Sequence, residues 1–275
     1  MLFKLCLLTL CFITILIGGC AAPSDNQAVI ARLSLSLNAH AEVLHTSYFP
    51  LQTLQIFSSL GPTLRVYIEG DGHAWANRRR PSLDPTPHNL MLLELMHQDP
   101  YPDRAYLARP CQFVQGDNCK ISVWTSLRYS HPMVDTLNEA LNQLKIKGSY
   151  KKLELIGFSG GATLALLLAS SRNDISSVRT VAGNLSPSFV NRLHGVSPMP
   201  ESLNPADFSK DLATIPQLHF VGGQDSIITP NVYDNYQLFF SKKDCLSYYV
   251  NPNAGHNYGW KQSWLELLKI QVNCR

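Results

Sequence analysis

A chain of 275 residues, of which 45% are hydrophobic and 16% charged, can bury the core of one large domain. Its formal net charge is only +3, without a long basic tract. The one run of like charge, at 78–80, consists of three arginines before a proline in a polar stretch, which indicates a solvated loop. These features argue against a nucleic-acid partner and against a low-complexity chain, and we expect a monomer.

The N-terminus has the pattern of an export signal. Lys4 precedes an apolar stretch over 5–17 that is too short to span a bilayer comfortably. The letters IGGC at 17–20 resemble the bacterial lipobox, in which the cysteine is lipidated and becomes the new N-terminus. This resemblance implies a signal peptide up to Cys20, a membrane anchor on Cys20 and a flexible tether over 21–30. The alternative is an ordinary secretory signal that is cleaved nearby.

The residue after the lipidated cysteine directs sorting in Gram-negative lipoproteins. Here the residue after Cys20 is not Asp, so the same resemblance implies a lipid anchor in the outer membrane, facing the periplasm.

After the tether, alternating strands and helices predict one domain over 31–275. The stretch 31–57 alternates apolar and polar residues and predicts two or three strands joined by hairpin-like turns. The later predicted elements are, in chain order, a strand at 64–68, a helix at 90–98 capped by Asn89, a strand at 105–108, a helix at 132–145, a strand at 153–156, a helix at 161–170, strands at 178–182, 218–221 and 248–250, and a helix at 260–270.

Strands that alternate with helices at these intervals indicate an α/β fold with a mostly parallel central sheet and helices on both faces. The N-terminal strands are predicted to form an antiparallel edge. Between residues 184 and 215 the pattern lapses into Asn, Ser, Pro and Gly with scattered apolar residues. Long connections of this kind are often lids or binding loops, so we expect a short lid-like insertion there.

Four cysteines lie beyond the export signal. An even number in an exported protein suits two disulfides, and closeness in sequence favours the pairs Cys111–Cys119 and Cys245–Cys274. Free buried thiols are the alternative. The spacing does not resemble a zinc site, and we expect neither a metal nor an organic cofactor.

A Gly-Phe-Ser-Gly-Gly turn at 157–161 joins a predicted strand to a predicted helix. In that setting Ser159 is a candidate nucleophile on a sharp turn, with Gly157 and Gly161 giving clearance where strand and helix crowd together. The turn by itself equally suits a plain glycine-rich connection. Phosphate binding is disfavoured, because the Lys-Ser/Thr ending of a P-loop and the three-glycine dinucleotide fingerprint are both absent.

Asp225 and His256 each follow a later predicted strand. Reactive groups of an α/β sheet gather where the strands end, so His256 could accept the proton of Ser159 while Asp225 orients the imidazole. Asp225 alternatively caps the helix that follows it. His219 falls within a strand and is predicted to be a core histidine.

The chain order serine, acid, histidine is that of the α/β-hydrolases. Over 64–270 the chain resembles this superfamily and, more narrowly, a group of bacterial envelope α/β-hydrolase lipoproteins. The resemblance implies the α/β-hydrolase fold and serine hydrolase activity, without an established substrate. The shared phrases are VYIEGDGHAW at 66–75, YLARPCQ at 106–112, WTSLRYS at 124–130, IGFSGGA at 156–162, SLNPAD at 202–207, IPQLHFVGGQD at 215–225 and NAGHNYGW at 253–260.

A hydrolase of this kind needs two N–H donors for the oxyanion. We expect the first from Gly160, directly after the nucleophile, and the second from Asp71, with Gly72 as the alternative. Glu69 departs from the superfamily, where His often stands at this position.

The leading hypothesis is therefore a lipid-tethered carboxylesterase or thioesterase that acts on a small ester or acyl substrate through an acyl-enzyme. One alternative is a peptidase or amidase that uses the same triad on envelope peptides. Another is a non-catalytic envelope protein that keeps the fold for binding. Candidate walls of the substrate pocket are Gly72, His73, Trp75, Phe158 and Tyr258.

Overall fold

The computed structural model describes residues 25–58 and 61–275. Within these two ranges, no helix has the length and apolar character that crossing a membrane requires. The predicted signal peptide, Cys20 and the first part of the predicted tether lie outside the described residues.

The described chain alternates strands with helices. In chain order the elements are α1 (Asp25–Leu37), β1 (His40–Leu44), β2 (Leu51–Ile56), β3 (Thr63–Ile68), β4 (Trp75–Asn77), β5 (Arg80–Pro81), α2 (Met91–Gln98), β6 (Arg104–Leu107), α3 (Ile121–Trp124), α4 (His131–Lys147), β7 (Lys152–Phe158), α5 (Gly160–Ser171), β8 (Ile175–Val181), α6 (Pro187–Leu193), a 3₁₀ helix (Pro205–Phe208), α7 (Ser209–Leu212), β9 (Gln217–Gly222), α8 (Asn231–Gln237), β10 (Leu246–Asn251) and α9 (Trp264–Leu268).

Eight strands form one sheet in the order β1-β2-β6-β3-β7-β8-β9-β10. The neighbours from β6 to β10 pair in parallel, whereas β2 is antiparallel to both β1 and β6. Strands β4 and β5 form a separate antiparallel hairpin. The predicted mostly parallel α/β sheet with an antiparallel N-terminal edge is confirmed.

The sheet separates two hydrophobic cores, because successive side chains of a strand point to opposite faces. In β3, Leu64 and Val66 pack with α4 and α5 on one face, and Tyr67 packs with α2 and α9 on the other. The first core is rich in Leu and Val, and the second contains the fully buried Trp260 and Trp264.

The N-terminal part of the domain departs from the prediction. Helix α1 begins at Asp25, inside the predicted tether, and continues to Leu37, so the strands predicted from residue 31 are wrong up to that point. Val29 and Leu33 lie four residues apart and pack against the second core. This helical spacing coexists with a Leu-Ser alternation over 33–37, which suggested a strand.

The 184–215 insertion packs onto the domain. It contains α6, the 3₁₀ helix and α7, and both the 3₁₀ helix and α7 contact α5. Leu185, Ala206 and Leu212 are buried in the first core. The insertion is thus a structured connection, and its role as a lid stays a prediction.

Both expected disulfides are present. Cys111 bonds to Cys119 and closes the loop after β6, and Cys245 bonds to Cys274 and ties the start of β10 to the C-terminal segment.

A buried ion cluster links β3 to its neighbours near the amino ends of the strands. Arg65 donates to both carboxylate oxygens of Asp99 at 2.8 Å and forms an ion pair with Glu154 at 2.8 Å. Arg179 of β8 pairs with the other oxygen of Glu154, and the hydroxyl of Tyr67 donates to Asp99 at 2.6 Å. Two cations and two carboxylates therefore neutralise each other in a region from which water is excluded.

Replacing Asp99 by Ala should lower the free energy of unfolding by about 3–5 kcal/mol, because the buried guanidinium of Arg65 loses its main partner. Urea denaturation measures this change. The matched control is Glu94→Ala, which removes an exposed pair with Lys261 and should cost less than about 1 kcal/mol. Equal losses in both variants would contradict a stabilising role for the buried cluster.

Candidate active site

Ser159 alone makes the turn between β7 and α5. Its backbone angles are φ 50° and ψ −118°, a conformation that costs free energy in a non-glycine residue. Neighbouring segments hold the turn on both sides. The N–H of Ser159 donates to the carbonyl of Val181 at 3.0 Å, and its carbonyl accepts the N–H groups of Asn184 at 2.9 Å and Ala162 at 3.1 Å.

Strand β7 and helix α5 approach closely around this turn. A Cβ on Gly157 would lie 2.5 Å from the Cα of Ala162, and one on Gly161 would overlap the main chain at Ile68. Gly157 therefore provides the predicted clearance between β7 and α5, and Gly161 provides clearance between α5 and the end of β3.

The structure brings the three predicted catalytic side chains together. Nε2 of His256 lies 3.0 Å from Oγ of Ser159, and Nδ1 of His256 lies 2.9 Å from Oδ2 of Asp225. A carboxylate only accepts, so Nδ1–H donates to Asp225, which leaves Nε2 as the acceptor for the Ser159 hydroxyl. The side chain of Asp225 is fully buried and that of His256 is 12% exposed. The tautomer is therefore set by a carboxylate shielded from water.

The second oxygen of Asp225 orders its own loop. Oδ1 accepts the N–H groups of Ile227 and Ile228, both at 2.8 Å, whereas α8 begins only at Asn231. The carboxylate thus contacts His256 with one oxygen and stabilises the loop before the helix with the other. The helix-capping alternative is wrong, because these N–H groups precede α8 and no described side chain caps that helix.

Trp260 holds the loop that carries His256 through hydrogen bonds. The buried indole N–H donates to the carbonyl of Gly255 at 2.9 Å and to that of His256 at 3.3 Å. On the other side, the ring of Phe158 lies 5.2 Å from the imidazole of His256, measured between centroids. The imidazole is consequently restricted in position before any substrate arrives.

A charged network that sequence reasoning missed surrounds Asp71. The carboxylate pairs with Arg109, lies 3.4 Å from Nε of Arg128 and accepts the hydroxyl of Tyr129 at 3.1 Å. The carboxylate of Asp71 lies so close to Gly160 that a Cβ on this glycine would overlap the carboxylate. Burial acts to raise the pKa of Asp71, but the charges of Arg128 and Arg109 outweigh burial and hold the pKa below its usual value. The one feature of the sequence that could have indicated this network is the position of Arg109 just beyond the end of β6.

Asp71 and Gly160 stay the predicted oxyanion donors. The N–H of Gly70 donates to Oε1 of Glu69 at 2.8 Å and is therefore occupied. Among the described residues, the N–H groups of Asp71 and Gly160 have no hydrogen-bond partner. Gly72, the alternative, has a φ of 62° and packs against Pro85, away from the serine.

The remaining pocket candidates are His73, Trp75 and Tyr258. His73 stacks on His88 with ring centroids 4.1 Å apart, and the half-exposed Tyr258 donates to Gln224 at 3.2 Å. Trp75 is exposed on the β4–β5 hairpin. In residues 25–58 and 61–275, no cluster of His, Cys, Asp or Glu could hold a metal ion.

His219 lies in the core, as predicted. Its Nδ1 bonds to the hydroxyl of Thr180 at 2.9 Å, and burial lowers its pKa to about 3. The imidazole is thus neutral at physiological pH and is separate from the candidate active site.

Glu69 is a buried acid beneath the Asp71 loop. Burial raises its pKa to about 7, against the opposing effect of the hydrogen bonds from Gly70 and from the Tyr106 hydroxyl at 2.8 Å. The carboxyl group therefore changes its charge near neutral pH, directly under a candidate oxyanion donor.

This raised pKa predicts a pH-dependent stability. The native state binds the Glu69 proton more tightly than the unfolded chain between pH 4.5 and about 7, so the contribution is complete below pH 4.5 and is lost as pH rises to about 7. The loss should amount to about 3 kcal/mol. Urea denaturation across this range should show the decline in the wild type and a flatter profile in Glu69→Gln. Identical slopes would contradict the raised pKa.

Comparison with known proteins identifies the family of this chain. The serine hydrolase (FSH1) family profile matches residues 108–256, more than half of the chain and a span that contains Ser159, Asp225 and His256. Among curated proteins, no sequence is similar enough to count as a match.

Several solved structures share the fold. The esterase Pf2001 of Pyrococcus furiosus is 13% identical, with 86% of this chain and 90% of that chain aligned and a TM-score of 0.59. A putative dienelactone hydrolase from Klebsiella pneumoniae is 15% identical over 84% and 96% of the two chains, with a TM-score of 0.60. XC6422 from Xanthomonas campestris, described as an α/β serine hydrolase without lid, is 14% identical over 86% and 97%, with a TM-score of 0.53.

At such identities the structural similarity establishes the fold, and the family match adds the class of enzyme. This chain belongs to the serine hydrolase (FSH1) family and is a serine hydrolase with the α/β-hydrolase fold.

Proposed function

We propose that this serine hydrolase is a carboxylesterase or thioesterase that acts through Ser159, His256 and Asp225. The observation that carries the proposal is the continuous hydrogen-bonded chain from Oγ of Ser159 through the imidazole to Asp225, with links of 3.0 and 2.9 Å. A core that needed only a glycine turn would not require a base and a buried acid in this order.

In the acylation step, Oγ of Ser159 attacks the carbonyl carbon of the substrate while its proton passes to Nε2 of His256. Asp225 stabilises the imidazolium that forms, without itself accepting the proton. Collapse of the tetrahedral intermediate breaks the bond to the alcohol or thiol, which leaves with the proton from Nε2. The products are an acyl-Ser159 ester and a free alcohol or thiol.

Deacylation repeats the same proton transfers with water. Nε2 of His256 takes a proton from the water that attacks the acyl carbon, and it returns this proton to Oγ of Ser159 as the carboxylic acid is released. The enzyme then regains its starting protonation state.

The developing oxyanion would be stabilised by the N–H groups of Gly160 and Asp71, which have no partner among the described residues. The N-terminus of α5 adds its positive dipole end at the same place. A carboxylate beside an oxyanion would repel it, but the Asp71 side chain is paired with Arg109 and lies near Arg128. The cluster of one carboxylate and two guanidinium groups is therefore net positive, which favours an anionic intermediate.

We further propose that the enzyme is a monomer held at the outer membrane by lipid on Cys20 and faces the periplasm. The lipobox-like IGGC at 17–20 and the two disulfides support an exported protein. Ester chemistry is favoured over amide chemistry because structural neighbours are described as esterases and as a putative dienelactone hydrolase.

Fluorophosphonate labelling of the full-length protein in detergent tests the nucleophile. Wild type should be labelled, Ser159→Ala should not, and its kcat should fall by a factor on the order of 10⁶. The matched control is Ser226→Ala, which alters an exposed serine next to Asp225 and should keep full labelling. Equal labelling of wild type and Ser159→Ala would sink the assignment.

The same preparations distinguish the reaction classes. Turnover of p-nitrophenyl esters with aminoacyl amides left nearly untouched supports the esterase, and efficient amide hydrolysis supports the peptidase or amidase. Triad variants that retained the cellular function would favour the non-catalytic binding protein.

The Asp71 side chain should influence catalysis through the position of its own N–H group. Asp71→Ala removes the contacts to Arg109 and Tyr129 that hold the loop, so kcat should fall by about 10- to 100-fold, part of what a lost oxyanion donor costs. Asp71→Asn keeps the shape and one acceptor and should lose less. Steady-state kinetics would speak against this role if only KM changed.

A further inference from the structure

The β4–β5 hairpin is unusually basic and exposed. Its turn consists of Arg78 and Arg79, and β5 begins with Arg80; all three arginines are solvent-exposed. In the described part of the chain, none of these guanidinium groups has a carboxylate within ion-pair distance. The three exposed cations on this hairpin do not contribute to the hydrophobic core. Their charge is therefore available to bind an anionic surface.

Large apolar side chains flank these arginines. Trp75 begins the hairpin and is 44% exposed, and Leu83 follows it and is 86% exposed. A tryptophan and a leucine beside a cluster of arginines match the requirements of a membrane interface, where the rings and alkyl groups enter the headgroup region and the cations meet lipid phosphates.

The N-terminus of the described chain is attached to the same place. The side-chain amide of Asn26 donates to Asp84 at 2.9 Å and to Thr86 at 3.2 Å. Asp84 directly follows Leu83, so the chain enters the domain beside the hairpin. Asn26 lies six positions after Cys20, which limits the reach of this link to about 20 Å even when fully extended.

The hairpin also borders the candidate active site. Asp71 lies only four residues before Trp75, and the N–H of His73 donates to the carbonyl of Pro85 at 3.0 Å, in the loop that receives Asn26. The anchor point, the basic hairpin and the Asp71 loop thus lie on one side of the molecule.

We propose that the β4–β5 hairpin with Leu83 is a docking surface for the anionic phospholipid membrane that receives the lipid anchor, and that docking turns the mouth of the active site toward this membrane. The proposal rests on the lipid attachment at Cys20 put forward above. An anchor and a basic patch together form the two-part signal that stable membrane attachment requires. Esters at the bilayer surface would then be presented directly to Ser159.

Trp75 provides a direct reporter. The other tryptophans, Trp124, Trp260 and Trp264, are buried, so brominated phospholipids should quench chiefly Trp75. The lipidated protein, which begins at Cys20, is reconstituted into brominated vesicles of phosphatidylcholine, with or without phosphatidylglycerol. We expect quenching that requires phosphatidylglycerol, that weakens at high salt and that disappears in Trp75→Phe.

Charge reversal tests the arginines. Arg78→Glu with Arg79→Glu should lower the ratio of docked to undocked protein by more than about tenfold, since each arginine contributes about a fivefold factor at an anionic surface. The matched control, Lys242→Glu with Lys243→Glu, makes the same charge change before β10, at the opposite end of the strands from Ser159, and should leave quenching unchanged. Equal loss in both variants, or quenching independent of phosphatidylglycerol, would overturn the proposal.

Two measurements on the same preparations distinguish a failure of the docking proposal from a failure of the proposed function. Mass spectrometry reports the acyl groups on Cys20, and fluorophosphonate labelling reports Ser159. An unlipidated Cys20 would overturn the orientation, because the short tether would no longer hold the hairpin at a membrane. If quenching were intact but Ser159 were not labelled, the assignment of Ser159 as nucleophile would be overturned, and the docking proposal would still be supported.

Discussion

The close crossing of β7 and α5 at Ser159 is the constraint on which the rest of the site depends. The positive φ of this residue is unfavourable by itself, and it persists because β8 and the chain at Asn184 accept and donate hydrogen bonds to the turn. Gly157 leaves no side chain between β7 and α5, and Gly161 leaves none between α5 and the end of β3. As a result the serine hydroxyl lies at the carboxyl edge of the sheet, next to the N–H of Gly160, which has no partner in the described part of the chain.

Each of the three carboxylates near this turn has hydrogen-bond or ion-pair partners. Asp225 is buried but shared between His256 and two backbone N–H groups, and Asp71 is balanced by two arginines. Glu69 is held by Tyr106 and by the N–H of Gly70. Paired carboxylates can stabilise an imidazolium or position a loop without opposing the negative charge that develops on a substrate.

Some parts of the chain could be predicted from the sequence better than others. Short runs of β-type residues, spaced between helical patterns, predicted β3, β7, β8 and β9. The helix α1 was missed, since Leu and Ser alternate over 33–37 while Val29 and Leu33 carry a helical period. Packing against the second core decides between these two patterns, and packing partners from residues far along the chain are not visible in a local window.

Local sequence determined the features that depend on neighbouring residues: the glycine turn at Ser159, the strand ends that carry Asp225 and His256, and the pairs of cysteines. Only the tertiary structure decided which distant groups meet. Arg109, Arg128 and Tyr129 converge on Asp71, and Asn26 joins the chain entry to the loop after the β4–β5 hairpin. The reason is physical: a turn follows from the steric preferences of a few adjacent residues, whereas an ion pair or a docking face depends on how the sheet brings separate loops to one edge.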